Sequence, residues 1–191
     1  FVPGPSNVPA AVQQAIHCPM EDHRNPTIPG LITPLIEDLK KIVLTEKGKV
    51  VFFPSSGTGC WEAALQSTLN IGDTVLGASF GQFSMLWLDM CTRLQFKAIT
   101  MDEEWGTGAN PEITRQKLLA DKKHEIKAVL VTHNETSTGI KSRVEEIRKA
   151  IDDAKHPALF MVDTISSLGS YNYEHQKWKV DVTVGGSQKG L

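Results

Sequence analysis

A chain of 191 residues that is 40% hydrophobic and 22% charged carries enough apolar material for a substantial core, in the size range of one domain. Its formal net charge is -2 and no basic stripe stands out, so there is no electrostatic ground for nucleic acid as a partner. Its apolar runs are too short to span a bilayer, so no membrane partner is expected. Cys18, Cys60 and Cys91 are widely spaced and form no C-x-x-C pair. That argues against a disulfide framework or a zinc site and suits a reducing compartment.

Residues 1–48 read as an N-terminal arm followed by a long helix. Pro3-Gly4-Pro5 is a turn-rich opening, and Asn7 is placed to cap a short helix with Val12, Ala15 and Ile16 on one face. Ile32, Leu35, Ile36, Leu39, Ile42 and Val43 recur at helical spacing. Glu37 and Lys41 sit four apart in the favourable order, and Gly48 is placed to end the run. From residue 49 onward the rhythm changes. Short β-branched runs, Val50–Phe53, Thr74–Gly77, Phe96–Met101, Ile126–Thr132, Leu159–Val162 and Val180–Val184, read as strands. Helices are expected to begin near Gly59, Gln82, Pro111 and Ser142, the last with a Ser142/Glu145 capping box and a face of Val144, Ile147, Ile151 and Ala154. Alternation of apolar strands with amphipathic helices predicts an α/β fold: three layers, α/β/α, around a mostly parallel sheet. In such a sheet a ligand site lies beyond the carboxyl ends of the strands.

Chemically capable residues do follow the strands. Pro54-Ser55-Ser56-Gly57-Thr58-Gly59 joins the first strand to a helix start, where converging N–H groups and the helix dipole favour an anion. An ordinary tight turn has the same composition, and no Gly-Lys-Ser/Thr follows as in a Walker loop. The fourth strand runs into His133-Asn134-Glu135-Thr136-Ser137-Thr138-Gly139, dense in hydrogen-bonding groups and equally readable as a solvated loop. The fifth ends in Asp163, a carboxylate that must be paired or useful if buried, or else caps a helix. The sixth runs into Gly185-Gly186-Ser187-Gln188-Lys189. That lysine is either a surface residue or an amine held in a pocket, ready to form a Schiff base. An anion cradle, an acid and a lysine at one sheet edge are what pyridoxal 5'-phosphate requires: a helix N-terminus for its phosphate, an amine for its aldehyde, a carboxylate for its ring nitrogen.

With these residues in place, the chain resembles the class V, fold-type I aminotransferases, most closely the serine–glyoxylate and alanine–glyoxylate branch. The resemblance is carried by Val2-Pro3-Gly4-Pro5-Ser6-Asn7, Ser56-Gly57-Thr58-Gly59-Cys60-Trp61-Glu62, Phe80-Gly81-Gln82-Phe83, the 133–139 stretch, Asp163-Thr164-Ile165-Ser166-Ser167 and Gly186-Ser187-Gln188-Lys189. It implies that Lys189 bonds the cofactor and moves the substrate proton, and that Asp163 pairs with the ring nitrogen. It also implies that Ser56, Gly57 and Thr58 hold the phosphate with help from Gln188. Phe80 and Ile165 would cover the two ring faces, and Thr136 would lie near the phenolic oxygen. Asn134 and Glu135 would shape their loop. The implied reaction passes an amino group from serine or alanine to glyoxylate, with amino acid and oxo acid as small-molecule partners and a homodimer as the assembly.

By the same resemblance, relatives continue for about as many residues again after Lys189, with a smaller C-terminal domain, a carboxylate-binding arginine and a strand inserted into the sheet. The expectation is therefore an incomplete cofactor-binding domain over residues 49–191 that is inactive alone. A cysteine desulfurase is the alternative within the fold, although those enzymes place histidine where Phe80 stands. A non-catalytic relative is disfavoured by the intact Asp163 and Lys189.

Overall fold

The structure, a computed structural model, describes residues 7–191. The expected turn at Pro3-Gly4-Pro5 lies outside the described residues. Two helices come first, α1 (Ala10–Ile16) and α2 (Ile28–Ile42), followed by α3 (Gly57–Thr68). Thereafter strand and helix alternate through β1 (Thr74–Ser79), α4 (Gln82–Arg93), β2 (Lys97–Asp102), α5 (Pro111–Ala120) and β3 (Ile126–Thr132). A two-residue hairpin, β4 (Asn134–Glu135) and β5 (Ile140–Lys141), interrupts the alternation before α6 (Val144–Asp153), β6 (Leu159–Asp163) and β7 (Val182–Val184).

The main sheet has the order β2-β1-β3-β6-β7, and every neighbouring pair in it is parallel. The pleat splits each strand between two cores. Val129, Val131, Phe160 and Val162 face α5 and α6 with Leu118, Ile147 and Ile151. Ala128, Leu130 and Met161 face α3 and α4 with Trp61, Leu65 and Trp87. The three-layer α/β/α architecture expected from the strand pattern is therefore the one observed. Among the described residues, no helix is long and apolar enough to cross a membrane.

Several local expectations fail, each for a physical reason. Val50–Phe53 forms no strand. The outer edge of β7 is not paired with it, and Val51, Phe52 and Phe53 are exposed, so the run lacks the ladder partner a strand requires. α1 starts after Pro9 rather than from an Asn7 cap, and neither α1 nor α2 buries a residue. Glu37 pairs with Lys40, and Lys41 with Asp38, because three-residue spacing brings long side chains together as readily as four. α2 ends at Ile42, and the left-handed residue after it is Leu44 (φ 54°), not Gly48. Ser142 does not cap α6. Its hydroxyl is buried and accepts the Ala109 N–H instead, a tertiary demand that outweighs the local one. The other boundaries move by one to two residues at strand ends, and α3 begins two residues before Gly59.

Candidate active site

With all main-sheet strands parallel, their carboxyl ends meet along one edge. There the loops after β1, β3, β6 and β7 adjoin the start of α3. Close packing shows how tightly. A Cβ on Gly57 would lie 2.7 Å from Ile165 Cδ1, and one on Gly186 would lie 2.5 Å from Gln188 Oε1 and 3.2 Å from the same Ile165 carbon. The α3 N-terminus, the β6 loop and the β7 loop thus converge where glycines leave room. Lys189 follows on the β7 loop, half-buried. The next residue, Gly190, packs against Gly169 in the turn after β6, which fixes the end of this loop to the Asp163 segment.

Asp163 closes β6 at 4% exposure. Its Oδ1 accepts the Ile165 N–H at 2.8 Å. Burial pushes its pKa up to about 6 and the Glu135 charge adds to that, while the Ile165 N–H and the Trp61 indole oppose it. The Trp61 indole N–H, although near, closes no hydrogen bond. On β3, Thr132 stands in register with Asp163, and its buried hydroxyl is also without a partner. A carboxyl group raised this far waits for a cation or a strong donor, and orphaned polar groups beside it are unusual enough to call for an explanation.

The two helix N-termini at this edge differ. At α4 every early amide is occupied. Gln82 N–H donates to Ser137 Oγ (3.0 Å), Phe83 N–H to Glu135 Oε1 (3.2 Å) and Ser84 N–H to Glu135 Oε2 (2.9 Å). At α3, Ser56 caps through a long 3.4 Å contact to the Gly59 N–H, no acidic residue lies in the first turn, and Ser56 and Thr58 are exposed. The open amides of α3 are the ones left to receive an anion.

The edge thus brings together Ser56, Gly57, Thr58, Asp163, Ile165, Gln188 and Lys189 of the residues singled out in the sequence. Thr136 is half-exposed on the adjoining β3 loop. Phe80, just after β1, is fully buried and packs with the core on the α5/α6 face. Sequence reasoning missed the part played by Glu135, Gly81 and Ser137 around α4, and the proximity of Trp61 to Asp163. One signal was present: Gly81-Gln82-Phe83 opens a helix with no local side-chain cap, so its amides had to find an acceptor elsewhere.

Fold and edge together are those of the large domain of a pyridoxal-phosphate-dependent aminotransferase. The family model Aminotransferase class-V matches residues 31–191, and the chain belongs to this family, which implies pyridoxal phosphate as cofactor. The chain is 56% identical over all its 191 residues to a serine–glyoxylate aminotransferase of Hyphomicrobium methylovorum, of which it covers 47%. It is 46% identical to an L-aspartate–glyoxylate aminotransferase of Paracoccus denitrificans, of which it covers 48%. Among solved structures, an alanine–glyoxylate aminotransferase of Nostoc sp. superimposes with a TM-score of 0.90 at 29% identity, over 99% of this chain and 49% of that one. The chain spans about half the length of the curated relatives it matches.

The residues present fit the implied cofactor. An open helix N-terminus suits its phosphate, a buried acid with an orphaned hydroxyl beside it suits its ring nitrogen, and the glycines packed against Ile165 and Gln188 bring these elements to one place.

Proposed function

We propose that this protein transfers an amino group from serine or alanine to glyoxylate, giving glycine, with pyridoxal 5'-phosphate held at the carboxyl edge of the sheet. The observation that carries the reading is the meeting of buried Asp163 with the open N-terminus of α3 and the loop that bears Lys189. In this reading residues 49–191 form the cofactor-binding part and residues 1–48 an arm with one long helix. The arm's lack of buried residues in α1 and α2 supports that division.

When bound, pyridoxal phosphate supplies a conjugated ring that accepts the electron pair left when the donor Cα loses its proton. The amides of Gly57 and Thr58, the Ser56 hydroxyl and Gln188 grip the phosphate. Asp163 would face the ring nitrogen and hold its proton there; a buried acid with raised proton affinity suits that role. Ile165 covers one face of the ring, and the Phe80–Gly81–Gln82 turn forms the other wall. Thr136 is assigned to the phenolic oxygen. Lys189 would be the amine that holds the cofactor aldehyde and, once freed, the base placed to take the donor's Cα proton and give it back. A homodimer of the full-length protein is part of the same proposal.

The relatives act on different amino donors by their names, so the test compares donors. The full-length gene product is supplied with glyoxylate and either L-serine or L-alanine. Glycine is expected in equal amount to hydroxypyruvate or pyruvate. Absence of glycine from both donors would remove the proposal, and sulfide release from L-cysteine would point to the desulfurase alternative.

A further inference from the structure

We propose that Glu135 is a positioning residue of the cofactor mouth, holding the Phe80–Gly81–Gln82 turn in place by occupying the anion position at the N-terminus of α4. The inference rests on reading this edge as the cofactor mouth.

Glu135 is fully buried, and an ionised carboxylate there needs several donors to persist. It has four: the Phe83 and Ser84 amides at 3.2 and 2.9 Å, and the Ser137 amide and hydroxyl at 3.1 and 2.9 Å. The Ser137 hydroxyl passes the contact on by accepting the Gln82 N–H. Ser84 completes the arrangement, its hydroxyl donating to the Gly81 carbonyl at 2.9 Å and accepting the Phe80 N–H at 3.1 Å. The Gln82, Phe83 and Ser84 amides are thus tied to this carboxylate, directly or through the Ser137 hydroxyl, and the Ser84 hydroxyl joins Phe80 and Gly81 to a residue the carboxylate holds.

Two further features support the assignment. Gly81 is extended (φ 174°), a conformation open to any residue, so its need for glycine is spatial. A Cβ there would lie 2.5 Å from Glu135 Cδ and 2.8 Å from Ser137 Oγ. The Glu135 hairpin is also clasped to the β6 loop. Asn134 Nδ2 donates to Ser166 Oγ, and that hydroxyl donates to the Asn134 carbonyl, both at 2.9 Å. The α4 turn and the Asp163 loop, two walls of the mouth, therefore share one support.

The test uses the full-length gene product with Glu135→Ala, Glu135→Gln, Gly81→Ala and the Gly81→Ala/Glu135→Ala double variant. Two quantities are read: amide hydrogen exchange at Phe83 and Ser84 without cofactor, and the dissociation constant for pyridoxal phosphate. Glu135→Ala should speed exchange and weaken cofactor binding, each by about tenfold, the loss expected of a helix cap. Glu135→Gln keeps one acceptor oxygen and should recover part of both. Gly81→Ala should mimic Glu135→Ala, and the double variant should be no worse than Glu135→Ala alone, because the Glu135 atoms in dispute are then gone and the remaining neighbour, the Ser137 hydroxyl, can rotate away. If Glu135→Ala does not fold, Ser137→Ala, which removes one donor, should show smaller changes of the same sign.

Unchanged exchange overturns the capping assignment. Faster exchange with unchanged cofactor affinity overturns the positioning role and leaves only a structural cap. Failure of the parent protein to bind pyridoxal phosphate sinks the cofactor reading, and the positioning role with it, whatever the exchange rates show.

Discussion

Ile165 Cδ1 stands 2.7 Å from the point a Cβ on Gly57 would occupy, so the first residue of α3 meets the loop after β6 only because residue 57 has no side chain. The contact ties the proposed phosphate site to the residue proposed to cover the ring. Gly57→Ala therefore has a divided outcome. The helix gains up to about 1 kcal/mol from alanine, and the Ile165 terminus can rotate away, so denaturant unfolding should show stability nearly unchanged. The displaced Ile165 then stands in the ring's place, and pyridoxal phosphate should bind about tenfold more weakly, a modest overpacking penalty. Ile165→Val, which removes the nearest atom, should restore part of that affinity. Undiminished affinity in Gly57→Ala would separate this contact from cofactor binding.

The raised pKa of Asp163 sets a pH dependence whose sign is fixed. Its folded value is about 6 against 3.8 ordinarily, so the folded protein holds the proton more tightly. The associated stability is complete below about pH 4 and lost as pH rises through 6, about 3 kcal/mol in all. His133 acts oppositely. Burial, with the Lys141 charge assisting, lowers it from 6.5 to about 4, so its contribution is present above 6.5 and lost as pH falls through 4. In the cofactor-free protein, Asp163→Asn should therefore be more stable than the parent at pH 7, with the gap closing toward pH 4. Its stability should also rise more steeply between those values. Urea unfolding at pH 4 and pH 7 measures this, and an equal gap at both would contradict the burial of an ionisable group at this position.

Ser56 separates capping from anion binding. Its 3.4 Å contact to the Gly59 amide is long, so Ser56→Ala should cost only about 0.5 kcal/mol of stability, the low end for a cap. Affinity for pyridoxal phosphate should fall several-fold, while affinity for pyridoxal, which lacks the phosphate, should stay within about twofold. Equal losses for both ligands would place Ser56 away from the phosphate.

Much of this arrangement is legible in the residues. The 126–132 and 159–162 runs are apolar enough to be central parallel strands, and the residues after them are where such a sheet places a ligand. What escaped lies where long-range packing outranks local preference. Glu135 serves α4 across 51 residues of sequence, Ser142 leaves a capping pattern for Ala109, and Val50–Phe53 has strand composition without a ladder partner. The burial of Phe80 in the core likewise depends on packing that its motif alone does not describe.

The most direct test of the central claim mixes the purified protein with pyridoxal phosphate, reduces it with borohydride and maps the modified lysine by mass spectrometry. A single pyridoxyl adduct on Lys189, lost in Lys189→Ala and weakened in Asp163→Asn, is the predicted result. In the full-length gene product, labelling scattered over surface lysines, or none at all, would contradict it.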